Sequence, residues 1–410
     1  MDSAVLKRKR DSAVAFLKEI ISIPSSNPHV SDEDERELAK FLKHELESVG
    51  FRVELQHVTS KYPRAFAEQR TYTRPNVIAR TGSKSGIKLI LNGHIDTVSG
   101  YNMKRAFNPR VVGDRLYGRG SSDMKGGVAA IVAAAEAIQE SHRKLKGELV
   151  LSLVVDEETL GEGTKEFLKR ESGDFAIVAE PTQNTLGIAQ AGFIDFDISS
   201  TGESRHGQTV LPERWSSAFL QAANLCNRIM EDRRIIRKKN FRGVQMSSTF
   251  NVAPIQSGVR RSYSWMTVEE FAINCLLGAI PGTTIETSER SIKNSLNRIR
   301  RHIANANKQG QRIRLTAAHS NIGFIQVRNS YVRDFERAMQ KVLCHSQRSY
   351  VLSFCDATHF YRANIPTVLF GPGRMDLGHS GEEYTSIRQV KDATSVLAYA
   401  IENILATPST

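Results

Sequence analysis

Residues 87–96 read Ile87-Lys88-Leu89-Ile90-Leu91-Asn92-Gly93-His94-Ile95-Asp96. A short apolar run closes on an imidazole and a carboxylate. Three other runs have the same shape. Residues 149–155 (LVLSLVV) lead into Asp156-Glu157-Glu158, 175–179 (FAIVA) into Glu180-Pro181, and 367–370 (TVLF) into Gly371-Pro372-Gly373 and then His379. Runs apolar at consecutive positions are buried on both faces, which predicts strands of a mainly parallel sheet. An Ala-rich stretch, 128–138, lies between two of them and predicts a helix. Strand, helix, strand points to a doubly wound α/β domain.

Outward from that core, residues 12–22 predict a helix with Phe16, Leu17, Ile20 and Ile21 on one face, stopped by Pro24. Residues 33–49 predict a second, with Leu38, Phe41, Leu42 and Leu46 inward and Gly50 just past its end. The middle of the chain differs. Residues 186–200 alternate as half-buried antiparallel strands do, 249–256 and 268–277 predict strands, and 215–230 predicts a helix. Residues 288–306 predict another, with Ile292, Leu296, Ile299 and Ile303 as the buried stripe. The expected organisation is a discontinuous α/β domain, 1–184 and 321–410, carrying a smaller inserted α+β domain, 185–320.

The length of 410 residues suits two or three domains. With 40% hydrophobic and 24% charged residues, the chain is not disordered, collagen-like or a disulfide scaffold. No apolar run approaches the roughly 20 residues that span a bilayer. The start, MDSAVLKRKRDSAVAF, lacks a signal-peptide core, so the expected compartment is cytoplasmic. Cys226, Cys275, Cys344 and Cys355 form no CxxC and are expected to be buried thiols. Any metal would then be held by carboxylate and imidazole.

The net charge is +12, and the excess is uneven. Residues 233–242 carry six basic side chains and no acid, and 288–315 carry eight basic and one acidic. Such runs are usually solvated helix faces. No RNP aromatics, GXXG or zinc finger accompanies them, so a nucleic-acid partner is not expected.

In a parallel sheet, ligands bind outside the carboxyl ends of the strands. His94, Glu157, Glu158, Glu180 and His379 all follow strand ends, and Asp123 sits in the Gly-rich segment GRGSSDMKGG, 118–127. Taken singly, a His or Asp at a strand end is usually a turn residue. Taken together, unpaired acids at buried strand ends would cost several kcal/mol each, by order of magnitude. A divalent cation offsets that cost. Oxygen and imidazole donors suit Zn, Co or Mn. A carboxylate-bridged pair of metals about 3.5–4 Å apart suits hydrolysis of a carbonyl or phosphoryl compound.

The motifs NGHIDTV, GRGSSDMKGG, VDEETLGEGT, AEPT, STGESRHG, TFNVAPIQSG, CDA at 355–357 and FGPG…GHSGEEY run in order from residue 92 to 384. This ordered set resembles the zinc exopeptidase family of acetylornithine deacetylase, succinyl-diaminopimelate desuccinylase, aminoacylase and carboxypeptidase G. The resemblance implies two divalent ions, zinc foremost, with Co or Mn as alternatives. His94 and Glu180 would hold one, Glu158 and His379 the other, and Asp123 would bridge. Glu157 would be the general base, and Asp96 would orient His94. The inserted domain would be the lid and dimerisation domain of a homodimer, with His206 reaching a partner's site to stabilise the tetrahedral oxyanion.

The implied activity is hydrolysis of a small-molecule amide, an N-acyl amino acid above all. A dipeptidase or carboxypeptidase is the alternative, and a non-catalytic binding protein that kept the fold is a third reading. One departure concerns the substrate. Where the family carries a carboxylate-binding Arg, three residues before Pro281-Gly282, this chain has Gly278. Arg260 or Arg261 could substitute, and Tyr263 and Trp265 could line a less polar pocket.

Overall fold

The computed structural model describes residues 2–28, 33–61, 71–142, 144–203, 205–206, 217–257, 268–326 and 329–405. Two compact units divide the chain. The first comprises Met1–Ile188, Gln326–Ser349 and Cys355–Thr410, and the second Ala189–Ile325 with Tyr350–Phe354. The second unit therefore starts and ends a few residues later than the periodicity alone places it, and recruits a short returning segment.

The first unit opens with helices α1 (Ser3–Ser22) and α2 (Arg36–Ser48). Strands β1 (Arg52–Lys61), β2 (Thr71–Gly82), β3 (Lys88–His94), β4 (Arg110–Val112) and β5 (Arg115–Tyr117) follow. Then come α3 (Lys125–Glu140), β6 (Glu148–Val154), α4 (Glu162–Leu168), β7 (Phe175–Val178) and β8 (Leu186–Gln190). The second unit carries β9 (Gly192–Thr201), α5 (Ala218–Glu231), β10 (Lys238–Phe241), β11 (Val244–Ser247), β12 (Thr249–Ser257), β13 (Glu270–Ala279), α6 (Ile285–Lys308), β14 (Ile313–Asn321) and β15 (Phe324–Ile325). The chain then returns through α7 (Ser330–Leu343), β16 (Arg348–Val351), α8 (Ala357–Arg362), β17 (Thr367–Leu369), β18 (Tyr384–Ser386) and α9 (Ile387–Leu405).

The four apolar runs become β3, β6, β7 and β17, adjacent in the order β6-β3-β7-β17. They are mutually parallel, with Leu91 opposite both Leu151 and Ile177, and Ile177 opposite Val368. Their carboxyl ends therefore fall on one edge of the sheet. Each fully buried Leu, Ile or Val in them contributes about 1.5–3 kcal/mol. The flanking pairs β1–β2, β2–β6 and β17–β8 are antiparallel, so parallel pairing is confined to the centre. Both faces are covered. The backbone of Gly93 faces Val128 of α3, while the neighbouring Asn92 donates to Thr164 of α4 at 3.3 Å.

Three local expectations are corrected. The first helix starts at Ser3 rather than 12, because Asp2 caps it by accepting from the Ala4 and Val5 amides and its charged turns find partners. Lys9 meets Glu136 at 2.7 Å, and Arg10 meets Asp392 at 3.0 Å. Of the four cysteines, Cys344 is exposed, since it caps α7 in a left-handed conformation. On α6, Ser295 rather than Leu296 completes the buried stripe with Ile292, Ile299 and Ile303.

In the second unit the sheet order is β12-β13-β9-β14, all antiparallel. Helices α5 and α6 pack against it. Among the described residues, no helix is long and apolar enough to cross a membrane.

Candidate metal centre

His94 is the last residue of β3, and Glu157, Glu158 and Glu180 lie in the segments that leave β6 (ending at Val154) and β7 (ending at Val178). Asp123 comes from the turn before α3. The start of α3 can press on the sheet because Gly127 has no side chain: a Cβ there would sit 2.1 Å from the Ala179 carbonyl oxygen. The close approach brings Asp123 beside Glu180.

The five residues proposed as ligands from the sequence meet in one place. His94, Asp123 and Glu180 offer ligand atoms that all lie within 4.8 Å of one another, and so do Asp123, Glu158 and His379. Asp123 belongs to both groups. Its Oδ1 lies 3.1 Å from His94 Nε2, and its Oδ2 3.5 Å from His379 Nε2. His379 Nε2 is also 2.9 Å from Glu158 Oε2. Glu157 Oε2 stands 4.0 Å from His94 Nε2, near the cluster but outside both groups.

Four carboxylates against two imidazoles make the pocket electrostatically negative. Burial, followed by repulsion from Glu180, Asp356 and Glu158, pushes the Glu157 carboxyl well above its usual range. Burial and Asp123 raise Glu180 in the same way. Glu158 is raised by burial and Asp123, although His379 opposes the shift. Hydrogen bonds to Asp123 and Glu158 raise His379 to about 10. Burial disfavours a charged His94, but its bonds to Asp123 and Asp96 outweigh that and hold it well above the ordinary imidazole range. Burial likewise opposes ionisation of Asp123, yet His379 and His94 keep it low. Oε1 of Glu158 and Oε1 of Glu180 are buried with no hydrogen-bond partner. Unsatisfied acceptors of this kind are what a metal ion would satisfy.

The supporting residues form a pattern that sequence reading missed. Asp96 does more than face His94. Its carboxylate accepts the backbone N–H groups of Glu157 and Glu158, at 3.2 and 3.1 Å. The ring Nδ1 of His94 meets the Asp96 main-chain oxygen at 2.9 Å, with the carboxylate farther away at 3.6 Å. Glu383 does for Asp123 what Asp96 does for the glutamates. Its Oε1 accepts the amides of Ser122 and Asp123 at 2.9 and 3.1 Å, while Oε2 takes a bond from Arg119 at 2.6 Å. Arg119 also donates to Asn102, and Asn102 donates to the His379 carbonyl at 2.9 Å.

A second buried arginine supports the glutamate turn. Arg74 bonds Glu35 at 2.7 Å and Asp156 at 2.6 Å, all three fully buried. The signals were present but weak: Arg119 and Glu383 lie inside quoted motifs, and Arg74 interrupts a strand. No spacing links residues 35, 74 and 156.

His206 is exposed in the second unit. Arg260, Arg261, Tyr263 and Trp265 lie outside the described residues. Gly278 sits in β13 opposite Thr249, whose hydroxyl would be 2.2 Å from a Cβ at that position. The space an Arg side chain would leave through is taken by a neighbour.

Residues 90–403 match the family model of peptidase family M20/M25/M40. The chain belongs to this family. A Schizosaccharomyces pombe M20 domain-containing protein is 34% identical over 245 residues, spanning 59% of this chain and 54% of that protein. The acetylornithine deacetylase of Proteus mirabilis is 25% identical over 404 residues, 96% of this chain and 97% of that one. A solved dinuclear metal-binding M20 peptidase from Bacillus subtilis has the same fold, with a TM-score of 0.64 at 14% identity, covering 98% of this chain and 99% of its own. The M20 chain described here is accordingly a hydrolase of amide or peptide bonds.

Proposed function

We propose that this M20 enzyme deacylates an N-acyl amino acid at a two-metal centre. The observation that carries the reading is Asp123, one carboxylate shared by two ligand groups. His94 and Glu180 would hold one ion, Glu158 and His379 the other. The donors are all oxygen and imidazole nitrogen, which fits zinc and also Co or Mn. Bound there, the ions would supply a water of near-neutral pKa and polarise the substrate carbonyl.

The protein's own groups do the rest. Glu157, outside both ligand groups and held by Asp96 through its amide, takes the proton of the attacking water. It then delivers that proton to the leaving amine. Its environment raises the pKa of that carboxyl, which makes its ionised form a stronger base for the water proton. Asp96 and Glu383 fix the backbone on either side of the site, so the carboxylates need not reorganise as charge develops.

A second copy of the chain would bring His206 to the oxyanion. The position of β12 at the edge of its sheet supports dimerisation, since an edge strand can pair with a second copy. The dipeptidase or carboxypeptidase reading shares the same metal centre, and Gly278 offers no side chain for the carboxylate that both classes of substrate carry. Assay of N-acyl amino acids against dipeptides, with Zn, Co and Mn, decides between them. Turnover of acyl amino acids alone supports the proposal; turnover of dipeptides alone replaces it with the peptidase reading. No turnover of either, with metal bound, removes both.

A further inference from the structure

We propose that a groove in the second unit, between the turn at 232–237 and helix α6, binds a small oligophosphate anion. Six guanidinium groups line it: Arg233, Arg234 and Arg237 from the turn, and Arg290, Arg298 and Arg301 from the helix. Its volume of about 530 Å³ lies within the range of ligand clefts. The helix is laid out for this. Ile292, Ile299 and Ile303 turn inward, while positions 290, 294, 297 and 301 recur on the opposite stripe as Arg, Asn, Asn and Arg.

Of the six guanidinium groups, Arg298 is paired with a carboxylate at the margin of the groove. No carboxylate is among the described residues lining the groove. Asp232, at its margin, is engaged by Arg298 at 3.0 Å and His302 at 2.9 Å. Like charges gathered around one concavity give it a positive potential that attracts an anion. Guanidinium forks match phosphate oxygens two at a time, and six of them call for several adjacent negative charges. Asn294, Asn297 and Ser291 add neutral hydrogen-bonding groups. Among the described residues the lining has no aromatic ring on which a base could stack, which favours a compact oligophosphate over a nucleic-acid strand.

Titration calorimetry of the full-length, metal-loaded protein with sodium tripolyphosphate tests the site. Sulfate at matched ionic strength and a dT oligonucleotide serve as comparisons. The expected result is saturable tripolyphosphate binding, weakened at least about tenfold in the double variant Arg290→Ser/Arg301→Ser, which loses charge-assisted bonds. Its amide hydrolysis should be unchanged, which separates loss of the site from loss of the fold. Arg234→Ser, in the exposed turn, should weaken binding in the same direction. Binding unchanged in these variants, equal binding of sulfate, or tighter binding of the oligonucleotide would each overturn the proposal.

Discussion

The two units handle charge in opposite ways. The first buries acids at the ends of parallel strands, where Glu158 and Glu180 keep unbonded oxygens. The second places its arginines at the surface around α5 and α6. Buried charge must be compensated by another charge, so its geometry is tightly specified and its chemistry can be inferred. Exposed charge costs little on its own, so composition alone says little about what it is for.

If that contrast holds, changes in the first unit should be far costlier than comparable changes in the second. The largest effect is expected at Asp123. Asp123→Ala removes a donor from both ligand groups, and hydrolysis should fall to background with both metals lost on dialysis. Retained activity would break the comparison at its strongest point. Next comes Glu157→Gln, which should lower kcat by about 10²-fold or more while metal content stays normal, as removal of a general base does. Near-normal turnover would take Glu157 out of proton transfer.

Glu383→Gln keeps the shape of the clamp but weakens its charge. Metal affinity should drop about 10–100-fold, the usual scale for a group that orients ligands without touching the metal. Equilibrium dialysis against a competing chelator measures it; unchanged affinity would reduce the Arg119–Glu383 pair to a packing element.

The smallest effect belongs to the second unit. Burial opposes charge on Asp232, but the Arg234 amide, His302 and Arg298 outweigh it and hold its pKa at about 2. Since this lies below the ordinary value of 3.8, the contribution of Asp232 to stability is present above about pH 4 and is lost as the pH falls toward about 2. Thermal melting of Asp232→Asn against the parent should show a modest deficit at neutral pH that disappears in acid. A deficit independent of pH would mean that the pairing contributes nothing through ionisation.

The same contrast explains what could be read from the sequence. The four central strands were legible because consecutive apolar residues allow few other readings. The five candidate ligands were legible because each follows such a run or lies in a glycine-rich turn. The residues that hold them were not. Glu35, Arg74 and Asp156 meet only after three distant segments fold together. Asp96 was noticed for its spacing from His94, yet its carboxylate chiefly holds the amides of Glu157 and Glu158. Helix α1 began nine residues early because its charged first turns are paired with α3 and α9, a compensation that periodicity cannot register.

Metal content per chain, measured by mass spectrometry on purified protein and on Glu180→Ala and Glu158→Ala, addresses the shared-carboxylate centre most directly. Two ions in the parent and one in each variant is the predicted result. A parent that binds a single ion under metal-replete conditions, or variants that keep both, would contradict it.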